Sequence, residues 1–399
     1  MSPPGRPKGE YRSAQREGTS MSAHTADVLI IGGGLHGCSA ALHLARAGLR
    51  AIVVEKNYVG RHASGVNAGG VRTLSRHEAE IPLALAALEL WHTIVDLVDD
   101  DCGFESHGQI RVAENDADRA SLQARRARLQ SLGFFHERWL EADELFERLP
   151  ALSRHCVGGL IAERDGAALP YRTTLAFRRK AEALGQRFIE ATRVIGIHRA
   201  GNAWQLATPA GALSGGVLVN CAGAWADQVC ATLGEPVPLI AIAPMMLVTL
   251  RMPRFLEPVV LGTGRPLSFK QTAEGTVLIG GGRLARMDRD SEETELDFRE
   301  LALSAQTVWD LFPVMRSASI HRGWAGIEAR MPDEIPVIGP SAAAPDAYHA
   351  FGFSAHGFEL GPIVGRITAE LITTGRTALP IEPFSIRRFL DHAATTTAS

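Results

Sequence analysis

The glycine-rich turn near the N-terminus constrains the fold more than any other part of the chain. An almost purely apolar run at residues 27–31 suits a parallel strand that is buried on both faces. Gly32, Gly34 and Gly37 follow in G-x-G-x-x-G spacing, which lets a pyrophosphate approach the backbone at the start of a helix. A second apolar strand delivers Glu55, whose carboxylate suits the hydroxyls of an adenosine ribose. Strand, turn, helix, strand and acid in this order predict a dinucleotide-binding unit.

Composition narrows the class of protein. The chain has 399 residues, 46% apolar residues and a formal net charge of −3, which suits a large core divided into two lobes. The longest apolar stretch, residues 236–250, is interrupted by Pro238 and Pro244, so we expect no transmembrane segment, and no basic face indicates nucleic acid. Five cysteines without C-x-x-C spacing argue against a disulfide framework and a metal site, and they fit a reducing cytoplasm. Residues 1–25 are polar and are predicted to be a disordered tail.

Three later segments predict further backbone contacts with a ligand. Residues 60–72 follow the nucleotide acid and are too rich in small residues to form a packed element. Residues 216–225 and 348–358 each read as a buried strand that runs into small residues and then a helix. Two helix N-termini aimed at one ligand would suit a pyrophosphate at one end and an electron-accepting ring at the other.

Together these motifs resemble the D-amino-acid-oxidase-like superfamily of FAD enzymes, which includes glycine oxidase and sarcosine oxidase. The resemblance runs from Asp27 to about Leu379 and rests on five motifs in the family's order. These motifs are the glycine turn with Glu55, residues 64–70, residues 220–225, residues 324–339 and residues 352–358. Within the superfamily, residues 269–271, 277–282 and 324–328 are most similar to FAD subunits of heteromeric bacterial dehydrogenases, namely opine oxidases, hydrogen cyanide synthase and D-hydroxyproline dehydrogenase.

The resemblance implies an α/β fold with a discontinuous Rossmann-like FAD-binding domain and a second, β-sheet-rich substrate domain. A helix beginning at Glu80 is predicted to leave the nucleotide unit, and short β-rich segments between residues 238 and 321 predict a sheet that covers the reactive end. We place the FAD-binding domain at residues 26–78, 155–237 and 322–390, and the substrate domain at residues 79–154 and 238–321.

By resemblance, FAD is held without a covalent link. Some relatives tether the flavin through a histidine at the place of Asn67 or through a cysteine in the last third, whereas the final cysteine here is Cys230. His62 is the one nearby alternative, and a solvated loop histidine is its expected role. The predicted cofactor-binding residues are Gly32, Gly33, Gly34, His36, Gly37, Glu55, Lys56, Arg61, Ser64, Asn67, Ala68, Gly69, Gly70, Val71, Val194, Ala222, Gly223, Trp225, Gly352, Ser354, His356, Gly357 and Phe358.

The implied reaction is oxidation of a C–N bond of an amino acid or secondary amine, of opine or D-amino-acid type, by hydride transfer to flavin. We expect a cytoplasmic subunit of a heteromeric dehydrogenase, with ferredoxin-like or second flavoprotein subunits, which could sit at the membrane surface through that complex. The alternatives are a free-standing oxidase that uses oxygen, an NAD-dependent dehydrogenase and a flavin-holding structural subunit. Sarcosine oxidases use a lysine near the flavin to promote reaction with oxygen, but here no lysine follows Lys270, and Arg283 and Arg286 stand in the corresponding stretch.

The candidate catalytic residues are Glu328, Arg330, Arg72, Arg322 and Lys270. In glycine-oxidase-like members, an arginine at the position of Glu328 binds the substrate carboxylate in a bidentate manner. Either Arg72, Arg322 or Arg330 takes over that carboxylate, or the substrate presents a cation to Glu328. A third reading leaves Glu328 outside the site, paired with Arg330 or Arg322.

Overall fold

The computed structural model describes residues 24–390, so the predicted tail lies outside the described residues except for its last two positions. The first strand begins at His24, three residues before the predicted start. The α-helices are Leu35–Arg46, Ala63–Val66, Ile81–His92, Ile94–Val98, Asp116–Ser131, Ala142–Arg148, Pro170–Ala183, Ala226–Thr232, Phe298–Leu311 and Gly357–Thr374. Short 3-10 turns lie at Glu78–Glu80, Gly223–Trp225, Pro313–Ser317 and Glu382–Phe384.

The first sheet forms around the predicted nucleotide strand, because that strand is apolar on both faces and lies in the sheet centre. Val28, Leu29 and Ile30 are fully buried, as expected for a parallel strand covered on both sides. The strand order is Val337–Pro340, Ala347–Phe351, Gly211–Asn220, His24–Ile31, Ala51–Val54 and Arg187–Ile189. Ala203–Thr208 also pairs with Gly211–Asn220, and Gly196–Ala200 pairs with Ala203–Thr208.

Strand register brings the glycine turn at Gly32 and the predicted turns within residues 216–225 and 348–358 to one edge of the sheet. His24–Ile31, Gly211–Asn220 and Ala347–Phe351 are parallel neighbours, with Ile31 opposite Asn220 and Asn220 opposite His349. The carboxyl ends of these strands therefore lie side by side, which is the edge at which open α/β sheets bind ligands.

The second sheet forms the wall opposite the ligand-binding edge of the first sheet. Its strand order is Ile320–Ala325, Met245–Thr249, Val277–Gly280, Ser268–Gln271, Val259–Gly262, Gln109–Ala113, Gly158–Ala162 and Arg138–Glu141. Helix Phe298–Leu311 covers one face of this sheet through Leu301, Val308 and Leu311. Two-stranded pairs join Gly70–Val71 to Gly166–Ala167, Ile240–Ile242 to Glu328–Arg330, and Arg286–Asp288 to Glu293–Glu295. The predicted α/β class with two sheets is confirmed.

The helix predicted to leave the nucleotide unit does not do so. It ends at His92 and a second helix starts at Ile94. The indole N–H of Trp91 donates to the carbonyl of Glu359 at 2.8 Å, so Ile81–His92 packs on the C-terminal helix Gly357–Thr374. The predicted domain boundaries stay a prediction, although this helix lies with the first sheet and Gly158–Ala162 belongs to the second.

Candidate active site

The glycine turn is built as the spacing predicts. Gly32 has φ +106°, and a Cβ there would overlap the carbonyl oxygen of Cys221. The backbone N–H of Gly33 donates to Glu55 Oε2 at 2.8 Å, which ties the predicted ribose acid to the turn. A Cβ at Gly34 would lie 2.9 Å from the Ser64 hydroxyl oxygen, so glycine is needed where the loop approaches the helix start.

One cavity of about 760 Å³ extends from this turn to the second sheet. Its volume falls within the roughly 300–1,000 Å³ range of cofactor and small-molecule sites. It is lined by every predicted cofactor residue except Gly33, Gly37 and Val71. Gly33 holds Glu55, Val71 is fully buried, and a Cβ at Gly37 would overlap the carbonyl oxygen of Gly32. These three residues shape the site and do not line it.

Two helix N-termini meet in the cavity wall. A Cβ at Gly357 would lie 2.9 Å from Cε1 of His36, so the starts of Leu35–Arg46 and Gly357–Thr374 are close together. Burial lowers the pKa of His36 to about 3, and its Nε2 has no hydrogen-bond partner among residues 24–390. Neutral polar groups and paired helix dipoles in an enclosed cleft suit a phosphate-bearing, aromatic ligand. The site therefore fits FAD.

The loop after Glu55 is held by its own polar groups. The Asn67 side chain donates to the carbonyl of Ala63 at 2.8 Å and accepts the Gly69 N–H at 2.7 Å. Lys270 lies behind this loop, because its Nζ would be 3.0 Å from a Cβ on Gly69. Burial lowers the pKa of Lys270 to about 8, and its ammonium donates to the Ala168 carbonyl at 3.4 Å.

A hairpin that sequence reasoning missed covers the nucleotide end. Its tip residue Glu292, at φ +61°, accepts hydrogen bonds from Lys56 at 2.7 Å, Asn57 at 2.6 Å and His62 at 2.9 Å. Burial alone would raise the pKa of Glu292, but these hydrogen bonds, with that of Lys56 the largest, lower it to about 2. The Lys56 ammonium also lies 3.0 Å from the ring centroid of Trp225. The hairpin thus links the second half of the chain to the nucleotide wall.

Glu328 lines the cavity and is not neutralised by a neighbouring arginine. Its strand pairs with Ile240–Ile242, and burial raises the pKa of its carboxyl to about 7. Its Oε1 is buried without a hydrogen-bond partner within the described part of the chain. The Arg322 guanidinium instead lies 5.3 Å from the ring centroid of Trp324. Pairing of Glu328 with Arg322 or Arg330 was wrong: neither forms an ion pair with it in residues 24–390.

Of the arginines proposed for the carboxylate, the structure brings Arg72 into the cavity wall but not Arg322 or Arg330. Arg72 donates to the Leu74 carbonyl at 3.1 Å, and burial, with the charge of Arg76 next in size, lowers its pKa to about 9. Lys270 also lies outside the lining. The catalytic roles predicted for Arg322, Arg330 and Lys270 stay predictions.

Sequence reasoning missed Arg76, Gln109 and Arg111, which also line the cavity. Arg76 pairs with Glu359 at 2.9 Å. Gln109 and Arg111 alternate with fully buried Ile110 and Val112 along one strand. That period-two alternation is the signal that could have placed both polar side chains on one face.

Comparison with known proteins agrees with this geometry. Residues 27–371 match the family described as FAD dependent oxidoreductase, DAO. The hydrogen cyanide synthase protein HcnC of Pseudomonas aeruginosa, which is a subunit of that enzyme, is 27% identical over 92% of this chain and 96% of its own length. An opine oxidase subunit of Rhizobium meliloti is 25% identical over 92% of this chain and 98% of its own. The crystal structure of L-proline dehydrogenase from P. horikoshii has a TM-score of 0.86 and 27% identity, covering 93% of this chain and 99% of the other.

The chain therefore belongs to the FAD-dependent oxidoreductase family, and the predicted flavin cofactor and enzyme class are confirmed. It is a flavoenzyme of the amino-acid and amine oxidase type, similar to glycine oxidase and to subunits of heteromeric enzymes. Among residues 24–390, no helix is long and apolar enough to cross a membrane.

Proposed function

We propose that this chain oxidises a C–N bond of an amino acid or secondary amine that carries a carboxylate, with FAD as the hydride acceptor. The observation that carries the proposal is that one cavity joins the nucleotide turn at Gly32 to an acid, Glu328, and an arginine, Arg72. FAD, when bound, supplies the ring that accepts the hydride.

The chain's own residues would bind, orient and deprotonate the substrate. Arg72 forms no ion pair in the described part of the chain, so its guanidinium is free to hold a carboxylate. Glu328, with a pKa near neutrality, is suited to take a proton from the substrate ammonium, because hydride leaves only a neutral amine readily. The N-terminus of Gly357–Thr374 would stabilise negative charge that develops on the ligand next to it.

The proposal extends to partner subunits and location. The relatives from hydrogen cyanide synthase and opine oxidase are each named as subunits of larger enzymes, which supports a heteromeric dehydrogenase. The five cysteines are unpaired and buried, which supports a reducing compartment such as the cytoplasm.

Anaerobic mixing of the FAD-loaded protein with amines tests the proposal. Sarcosine, glycine, D-hydroxyproline and a set of opines are compared with matched amines that lack a carboxylate. We expect at least one carboxylate-bearing amine to bleach the flavin absorbance, with an imine or its hydrolysis product formed in equal amount. No bleaching by any of them, or equal bleaching by the matched amines, would contradict the proposal.

The variant Arg72→Gln tests the proposed role of Arg72. It should weaken binding of a carboxylate-bearing substrate by roughly 10- to 100-fold, the range expected for a hydrogen bond to a charged group. Arg251→Gln, at an exposed position, is the matched arginine replacement.

In air, the isolated chain should form peroxide slowly, and adding an artificial electron acceptor should restore turnover.

A further inference from the structure

Arg111 is a charge in the cavity wall that the proposed reaction does not use. Its strand, Gln109–Ala113, lies inside the second sheet between Val259–Gly262 and Gly158–Ala162, so the position is rigid. The neighbouring side chains of Ile110 and Val112 are buried in the sheet's core, and Arg111 therefore points to the opposite face, where it lines the cavity.

Within residues 24–390, the Arg111 guanidinium forms neither an ion pair nor a hydrogen bond, and its Nε is buried without a partner. The acid whose charge reaches it is Glu137. Both oxygens of Glu137 are already used by Arg125, with Nε at 2.9 Å from Oε2 and Nη2 at 2.7 Å from Oε1. A partly buried guanidinium without an anion is costly, and a ligand carboxylate would remove that cost.

Two neighbouring arginines each have an acid partner. Arg76 meets Glu359 at 2.9 Å, and Arg125 meets Glu137 at 2.7 Å. Arg72 and Arg111 are different, because both line the cavity without an acid partner in the described part of the chain. The charge of Arg111 is also among the causes that lower the pKa of Arg72, so the two groups lie near each other. Within the described residues, two guanidinium groups without an acid partner in one cavity supply positive charge for two carboxylates.

The same strand offers a fixed acceptor. The Gln109 amide donates to the Val71 carbonyl at 3.0 Å and to the Gly166 carbonyl at 2.7 Å, which fixes its orientation. Its Oε1 is buried without a partner among the described residues. An N–H of a bound amine would satisfy it. Through Val71, this strand is attached to the loop that follows Asn67.

We propose that Arg111 binds a second carboxylate of the substrate, so the preferred substrates are secondary amines whose two N-substituents each carry a carboxylate. The inference rests on the proposed function, because Arg72 is taken to hold the first carboxylate. Gln109 accepts a hydrogen bond from the amine between them. Arg111 is thus the residue that sets specificity for dicarboxylates over simple amino acids.

Binding of inert ligands tests this without turnover. Oxydiacetate has two carboxylates but no oxidisable amine, and methoxyacetate has one carboxylate. Their dissociation constants are measured on the FAD-loaded protein by the change in flavin absorbance and by calorimetry. The wild-type protein should bind oxydiacetate more tightly, and Arg111→Gln should weaken oxydiacetate by roughly 10- to 100-fold while leaving methoxyacetate unchanged.

Two further variants separate the possible results. Arg72→Gln should weaken both ligands alike, because both present the first carboxylate. Arg111→Lys keeps the charge without the planar fork and should give an intermediate loss for oxydiacetate; it also serves if Arg111→Gln fails to fold. Flavin content and thermal unfolding establish that each variant is intact.

The proposal is overturned if Arg111→Gln weakens both ligands equally, because Arg111 would then bind the first carboxylate. It is overturned if the variant weakens neither ligand, because Arg111 would then bind no carboxylate. Loss of FAD by the variant also overturns it, because Arg111 would then support the cofactor. It is also overturned if the wild-type protein does not prefer oxydiacetate. These ligands are not oxidised, so their dissociation constants can be compared even if the protein oxidises no amine. Failure of amine oxidation would therefore count against the proposed function alone.

Discussion

Replacing Glu328 by glutamine should make the protein more stable above neutral pH. The carboxyl has an ordinary pKa of 4.5, and burial raises it to about 7 in the folded chain. At 1.36 kcal/mol for each pH unit, this difference corresponds to about 3 kcal/mol of unfolding free energy. This value is an upper limit for the gain in stability, because the glutamine amide that replaces the carboxyl would also need hydrogen-bond partners when buried.

The sign follows from which state holds the proton. Below pH 4.5, both states are protonated and Glu328 has no pH-dependent effect. Between pH 4.5 and about 7, the unfolded chain ionises while the folded chain keeps its proton, so stability falls as pH rises. Above about pH 7, the full cost is present. Glu328→Gln should therefore match the wild type in acid and exceed it by up to about 3 kcal/mol in mild alkali.

Urea unfolding at several pH values, with FAD held in excess, measures this effect. The exposed residue Glu257 provides the control substitution Glu257→Gln, which should follow the wild type at every pH. If the Glu328→Gln and wild-type curves run parallel with pH, or if the variant is less stable in alkali, the carboxyl is not buried as described.

If Glu328 meets the substrate ammonium, the same variant should raise KM by an amount equivalent to about 1.5–3 kcal/mol.

Three further predictions address the cofactor and its support. Gly34→Val should abolish FAD binding, because a side chain there would meet the Ser64 hydroxyl and fill the space through which the phosphates approach the backbone. Glu55→Ala should only weaken FAD binding. Reconstitution with FAD, followed by absorbance, measures both variants, and normal binding by Gly34→Val would place the nucleotide elsewhere. Acid precipitation should release all yellow colour, since FAD is predicted to be non-covalent; flavin kept in the pellet would refute this. Lys270→Met should raise stability by up to about 3 kcal/mol below about pH 8, because burial lowers the lysine pKa from 10.5 to about 8 and the folded state resists its charge. That gain should shrink as pH rises from 8 towards 10.5, opposite in sign to Glu328, and a pH-independent gain would contradict it.

The nucleotide edge could be predicted from sequence because its signals are local. The turn at Gly32, the acid at Glu55 and the loop around Asn67 lie within one continuous stretch, and their chemistry depends on backbone shape and spacing. The late turn at Gly352 was also found, since a strand that ends in small residues before a helix repeats the same local pattern. Parallel register then brings these turns to one edge.

Substrate residues were harder to predict because their positions depend on pairing between distant segments. Glu328, Arg322 and Arg330 are close in sequence, yet Glu328 lines the cavity, whereas Arg322 lies by Trp324 and Arg330 lies outside the lining. A loop-like stretch with no clear period does not reveal which way each side chain points. The packing of helix Ile81–His92 was predicted wrongly for a related reason. Its apolar residues indicate that one face is buried, but they do not indicate whether that face packs on the first sheet's helices or on the second sheet.

The two walls of the cavity divide the chemistry between them. The first sheet supplies backbone groups and helix N-termini, which suit a cofactor shared by a whole family. The second sheet supplies side chains, among them Gln109 and Arg111, whose strand alternates buried apolar and cavity-facing polar residues. A side chain on a strand can change without disturbing the backbone that holds the cofactor. Substrate preference can therefore vary through positions such as Arg111 while the FAD site is kept.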